Sequence, residues 1–160
     1  ALYHFRGDIF RKALLTFPIV AESALYGLAM GLLIIHVMEE QHLLGPMIVS
    51  AEVLDWTVLS AGAGLHEELI FRLLLLPAMA IGLEKFAAMP KALAWGAATL
   101  GSSLLFAGAH HFAGEPFEAY AFTYRTFAGI FFAGVFLTRG FAVATWTHAI
   151  YDLHVLWGSY

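Results

Sequence analysis

The feature that most constrains this chain is a series of apolar runs that are hydrophobic all the way round, with no wet face to show to solvent. Measured against the roughly 20 residues needed to cross a bilayer, five such runs stand out: Ala13–Met38, Leu69–Leu83, Ala92–Phe112, Ala119–Thr138 and Phe141–Trp157. A helix of this kind belongs in a large core or in a membrane, and a chain of 160 residues has no core large enough for five of them. Composition agrees, since 61% of residues are hydrophobic and 12% charged, where a soluble domain carries about 25% charged. The expected fold is all-α, a polytopic transmembrane bundle of five to six spans with short connections, forming one domain over residues 1–160.

The segment Met47–Leu65 is apolar only in patches and holds Glu52 and Asp55. It reads as a sixth span, a re-entrant segment or an interfacial helix. The connections Glu39–Pro46, Glu84–Pro90, Gly114–Pro116 and Arg139–Gly140 are rich in helix breakers. Basic residues alternate among them: Arg6, Arg11 and Lys12, then Lys85 and Lys91, then Arg139, while Glu39–Asp55 and Gly114–Glu118 have none. By the positive-inside rule this pattern fits five crossings from a cytoplasmic N-terminus, with Met47–Leu65 not crossing by itself. Tyr3 to Lys12 lead into an apolar stretch without a small-residue cleavage site, so the first span reads as an anchor. A net charge of -4 without a basic stripe argues against a nucleic-acid partner. The absence of cysteine removes disulfides and thiolate chemistry.

Ionisable groups at membrane depth are costly and call for a function or a partner. Here they cluster: Glu67, Glu68 and Arg72 in GLHEELIFRLLLLP, His110 and His111 in LLFAGAHHFAG, and His148 and Asp152 in ATWTHAIYDLHV. Glu68 and Arg72 are one helical turn apart, acid before base, and neutralise each other. Glu67 is turned about 100° away and lacks that partner, as expected of a poised general base. Phe106 with His110 and His148 with Asp152 are also i, i+4 pairs. Three helices can thus aim Glu67, His110, His148 and Asp152 at one interior point. Any one pair alone reads as ordinary bundle hydrogen bonding; three pairs in separate spans favour a site. Glu22, His36, His66, His111 and His154 are assigned to bundle hydrogen bonding or interfacial positions. Arg125 is expected to snorkel or to pair with a carboxylate. Trp56, Trp95, Trp146, Trp157 and Tyr160 are read as core or interfacial anchors.

The inventory narrows the chemistry. No GxSG or GxSxG presents a serine nucleophile, no HExxH presents a zinc-protease helix, and no GxGD surrounds Asp8, Asp55 or Asp152. What remains is a carboxylate with histidines acting on water, with Glu67 as base. A transporter or proton relay is the rival from another class, but it calls for ionisable groups at several depths or an inverted repeat, and neither is found. A non-catalytic membrane regulator is a third reading.

Three signatures, Glu67-Glu68-Leu69-Ile70-Phe71-Arg72 (EExxxR), Phe106–His110 (FxxxH) and His148–Asp152 (HxxxN/D), resemble in order and spacing those of the CPBP intramembrane proteases, also called Abi or CAAX proteases. The resemblance runs from Glu67 to Asp152. The stretch Phe127–Phe136, with Gly129 and Gly134, is similar to the family's glycine-spaced penultimate helix. The resemblance implies that Glu67 activates water, that His110 helps to hold or deprotonate it, and that Glu68 and Arg72, with Phe106, are structural residues that orient the site. His148 and the residue four later would polarise the scissile carbonyl and stabilise the oxyanion. Here that residue is Asp152, where prenyl-processing members have Asn. An ionised Asp repels an oxyanion, so Asp152 must be protonated, orient His148, or help bind a metal.

The metal question stays open. Glu67, His110, His148 and Asp152 would be the ligands of a divalent ion such as zinc, while the absence of HExxH favours a metal-free, glutamate-type enzyme. The expected partners are the lipid bilayer and a membrane-anchored protein substrate. With five crossings the site falls in the outer half of the membrane. That suits a myxosortase-like sorting enzyme of the bacterial inner membrane, cleaving the C-terminal tail or leader of exported proteins. A CAAX-type prenyl endopeptidase, the alternative, needs a cytoplasmic opening.

Overall fold

The computed structural model describes residues 16–30, 33, 36, 53–112 and 116–158. Among them every regular element is helical: α1 (Thr16–Met30), α2 (Val53–Glu68), a π-helical segment π1 (Leu69–Leu75), α3 (Leu76–Phe86), α4 (Lys91–Phe112), α5 (Ala119–Arg139) and α6 (Phe141–Gly158). The last three follow the apolar runs to within a residue. The basic N-terminal residues Arg6, Arg11 and Lys12 and the connection Glu39–Pro46 lie outside the described residues.

The division expected near Leu65 is where the structure differs. α2, π1 and α3 are consecutive, and the junction residues Glu68 and Leu76 both have right-handed helical dihedrals, so residues 53–86 form one unbroken helix. Glu67 therefore lies in the middle of a helix, not at the start of a span. The physical reason is that Ser60–Glu68 contains glycines but no proline. Glycine lowers helix propensity without ending a helix that packs against a neighbour. The first proline within this helix is Pro77, near the start of α3. It has no N–H to donate back into the preceding turn. The turn before it is wide, with the Leu76 N–H reaching the Phe71 carbonyl five residues back. At about 1.5 Å per residue the helix is about 50 Å long, well beyond the ~30 Å hydrocarbon layer, so it must tilt or protrude.

Small residues are concentrated inside the bundle, and many large aliphatic side chains face outward. Ala94, Ala98, Ala107, Ala133 and Ala144 are buried with Ser102 and Ser103, while Leu73, Leu74, Leu100, Leu105 and Leu137 are exposed. α4 and α5 are long and apolar enough to cross a membrane, with only 33% and 28% of their apolar windows buried. Outward-facing leucines over an alanine and serine interior are what helix packing in lipid requires, because small residues let backbones approach.

Two such approaches fix the site. A Cβ on Gly129 of α5 would stand 2.9 Å from Ser103 Cβ of α4, and one on Gly64 of α2 would stand 2.9 Å from both Ala149 N and Thr145 O of α6. Only glycine allows these distances. Elsewhere, Ser23 Oγ of α1 lies 3.2 Å from the Val143 carbonyl of α6. Arg139 holds Glu22 through two nitrogens, with Nη2 2.9 Å from Oε2. Trp95 Nε1 donates to Glu84 Oε1 at 2.8 Å across the α3–α4 turn.

Candidate active site

Four helical elements bring the ionisable residues together, and they form two layers. The inner layer is sealed: Glu68, Arg72 and His148 have side chains 0%, 1% and 4% exposed. Arg72 Nη1 lies 3.2 Å from Glu68 Oε1, and Arg72 Nη2 donates to the Gly129 carbonyl at 3.2 Å. The guanidinium carbon sits 4.3 Å from the centre of the Phe106 ring, so its face is covered by an aromatic surface that favours cations. His148 Nδ1 donates to Glu68 Oε1 at 2.9 Å. Glu68 Oε1 thus accepts a hydrogen bond from the His148 imidazole and pairs by charge with the Arg72 guanidinium, which offsets part of the cost of burying the carboxylate.

The outer layer is reachable: Glu67, His110 and Asp152 are 23%, 24% and 29% exposed. Glu67 Oε1 lies 3.9 Å from His110 Nε2, and Glu67 Oε2 lies 3.7 Å from His148 Nε2. Both separations are too long for a direct hydrogen bond and suit a bridging water. His110 Nδ1 donates to the Phe106 carbonyl at 3.0 Å, one turn back on α4, which fixes the ring and leaves Nε2 facing Glu67. Asp152 Oδ2 is 3.4 Å from His148 Nε2.

Glu67, His110, His148 and Asp152 therefore do converge, and Phe106 stands between the layers, its ring 5.3 Å from that of His110 and 5.8 Å from that of His148. Several groups assigned to other duties stay apart. His36, His66 and His154 are exposed. His111 Nδ1 donates to the Pro116 carbonyl at 3.2 Å and its ring packs on Phe117 and Phe122. Arg125 lies half-buried on α5.

Three parts of the site escaped the sequence. The Glu68–His148 hydrogen bond joins residues 80 apart in the chain, where spacing suggested only the local His148–Asp152 pair. The Gly129 carbonyl as a partner of Arg72 has no side-chain signature. Phe132, whose ring stacks on His148 at 4.2 Å and 18°, was legible only as one aromatic among many on α5, although buried Ala128, Gly129 and Ala133 beside it mark that face as a contact. Among the described residues, no group of three or more His, Asp and Glu side chains is gathered so as to hold a metal ion. The donors as placed do not fit a preformed zinc centre.

A sequence profile of type II CAAX prenyl endopeptidase Rce1-like proteins matches residues 49–154, which takes in α2 and all three signatures. No curated protein and no solved structure matches the chain.

Proposed function

Since the chain belongs to the type II CAAX prenyl endopeptidase Rce1-like family, and is thus an intramembrane peptidase, we propose that it hydrolyses its substrate with a water held between Glu67 and His110. The observation that carries this reading is the contrast of two adjacent carboxylates: Glu68 is sealed, ion-paired with Arg72 and hydrogen-bonded by His148, while Glu67 is partly open and has a histidine ring nitrogen at 3.7–3.9 Å on either side.

A water in that space would donate one hydrogen to Glu67 and the other to His110 Nε2, turning a lone pair outward. Glu67 takes its proton as the oxygen attacks the scissile carbonyl carbon. The C=O pair moves onto oxygen, where the His148 Nε2–H donates to the oxyanion. Collapse of the tetrahedral intermediate breaks the C–N bond, and Glu67 returns the proton to the leaving amine. Burial of Glu68, Arg72 and His148 holds the donor in place beforehand, so little reorganisation remains for the transition state.

We assign this cycle no metal; chelation is expected to leave cleavage unchanged, and loss of activity that only added zinc restores would overturn the assignment. Glu67→Gln tests the core of the proposal. Purified in detergent, the variant should keep its fold and lose cleavage; undiminished cleavage rejects Glu67 as the base.

For the substrate, the alternation of basic connections favours a multi-pass inner-membrane protein with the site in its outer half, and hence the C-terminal tail or leader of an exported protein. The family match favours a second reading, a prenylated CAAX tail approached from the cytoplasm. Reporter fusions decide: Lys85 and Lys91 on the outer face would remove the sorting-tail reading.

A further inference from the structure

The long helix over residues 53–86 buries its side chains at a spacing that an α-helix cannot keep on one face. From Ser60 to Ala80 the buried positions are Ser60, Gly64, Glu68, Arg72, Leu76 and Ala80, every fourth residue without exception. At about 3.6 residues per turn, each step of four carries the next position about 40° further round. Three steps, from Gly64 to Leu76, would spread the stripe over about 120° and take Leu76 off the packed face. A turn closed five residues back instead of four takes in one residue more, which returns about 100°. That turn is π1, and it lies within these three steps. The stripe thereby stays inward. Gly64 lies against α6, Arg72 meets α4 and α5, and beyond π1 Met79 fills the space over Gly101 of α4, where a Cβ would stand 2.6 Å from Met79 Cε.

Arg72 is the middle residue of π1. Its guanidinium ties three helices together: Nη1 lies 3.2 Å from Glu68 Oε1 of α2, Nη2 donates to the Gly129 carbonyl of α5 at 3.2 Å, and Cζ lies 4.3 Å from the centre of the Phe106 ring of α4. Phe71, its neighbour in π1, meets the same ring edge-on at 5.4 Å. Phe106 in turn packs on the rings of His110 and His148. Through Phe106, the rotation of π1 bears on both histidines that face Glu67.

Pro77 stands two residues beyond π1. In an α-helix its ring would collide with the Leu73 carbonyl four residues back, and it has no N–H to offer that carbonyl. A wider turn removes the collision, and the Leu76 N–H bonds the Phe71 carbonyl instead. Resting on the protease reading above, we infer that Pro77 is a positioning residue: it holds π1 open and so fixes the rotation at which Arg72 meets Glu68, Gly129 and Phe106 behind the general base. It acts through Arg72 and not on the substrate. With alanine in its place an N–H is again available to the Leu73 carbonyl, and the turn can close four residues back. α3 is held by its packing on α4, so the rotation falls on Phe71 and Arg72.

The test is Pro77→Ala in the full chain, purified in detergent. Cleavage is followed with two quenched fluorescent peptides, a prenylated CAAX peptide and an apolar C-terminal tail. The Arg72 guanidinium is followed by nitrogen-15 NMR, its signal assigned by loss in Arg72→Lys. kcat should fall about 10–100-fold with KM unchanged, since a misplacement of about 1 Å from a change remote from the chemistry can cost about 100-fold. The unfolding midpoint should hold or rise, because alanine is the better residue inside a helix. The guanidinium protons, shifted in the unaltered chain by the Phe106 ring, should lose that shift. Unchanged kcat overturns the inference, whatever the midpoint does. So does a fall in kcat with the guanidinium signal in place, since the proline then acts by another route. If the unaltered chain cuts neither peptide, the protease reading falls and the guanidinium signal alone judges the register: moved in Pro77→Ala, it upholds the role of the proline, and unmoved, it overturns that too.

Discussion

Glu67 and Glu68 are the same residue type on one turn of one helix, and the bundle treats them as different reagents. Glu68 faces inward to Arg72 at 3.2 Å and His148 at 2.9 Å with no exposed surface. Glu67, rotated by about one residue's 100°, faces an accessible gap with no partner nearer than 3.7 Å. The difference teaches that rotation about the helix axis decides which carboxylate is structural and which is free to take a proton. The close approach at Gly64, one turn before Glu68, sets how near that axis lies to α6.

The largest expected effect comes from breaking the sealed side. Arg72→Leu leaves the Glu68 carboxylate buried with its main charge partner gone, a change worth about 3–5 kcal/mol. A thermal-unfolding scan in detergent should show the loss, with cleavage disappearing alongside. The double variant Glu68→Leu/Arg72→Leu should recover much of the stability, since neither charge is then stranded. It should not recover cleavage, because His148 Nδ1 has lost its acceptor. Recovery of both would show that the inner layer does not orient the site.

Next comes the open side. Glu67→Gln should lower kcat by about 10²–10⁴-fold, the usual worth of a general base. The midpoint of unfolding should stay near wild type, because Glu67 makes no short contact. A large stability loss in this variant would erase the contrast between the two glutamates.

How much of this was legible beforehand follows from where the information sits. Helix spacing places Glu68 against Arg72, and Phe106 against His110, because those relations are local. The apolar runs give α4, α5 and α6 their bounds for the same reason. The unbroken helix through 53–86 was not legible, since Ser60–Glu68 mixes glycine and acid in a way that reads as an interruption until its packing on α6 is seen. Nor was the π-helical turn around Arg72, which depends on a missing N–H at Pro77 and on the backbone carbonyl of Gly129. The Glu68–His148 bond is a property of how α2 meets α6. A single sequence carries the two residues but not their meeting.

The closeness of that meeting can be tested at the two glycines. Gly64→Ala puts a methyl 2.9 Å from the α6 backbone, and Gly129→Ala puts one 2.9 Å from Ser103 Cβ. Neither obstacle is a flexible side-chain end, so each should cost about 1–3 kcal/mol by overpacking. Their effects on cleavage should differ in kind. Gly64→Ala moves α6, and with it His148, away from both glutamates, so kcat should fall more than stability alone explains. Gly129→Ala shifts α5 and the carbonyl that holds Arg72, and should act mainly through stability. Equal kinetic losses would mean that the glutamates do not depend on the α2–α6 distance.

The finest distinction concerns what keeps the His148 ring in plane. Glu68 fixes Nδ1, but a single hydrogen bond allows the ring to tip about it, and Phe132 at 4.2 Å closes that freedom from one face. Phe132→Leu keeps most of the apolar volume and removes the stack, which is worth about 0.5–1.5 kcal/mol beyond area burial. Near 1.4 kcal/mol corresponds to tenfold in rate, so kcat should fall by roughly tenfold or less. Because the donor matters when charge develops on the substrate oxygen, the loss belongs in kcat, and KM should hold. Phe132→Tyr retains the ring and should restore the rate. If leucine proves as good as tyrosine, the stack only fills space, and Glu68 alone suffices to aim the histidine.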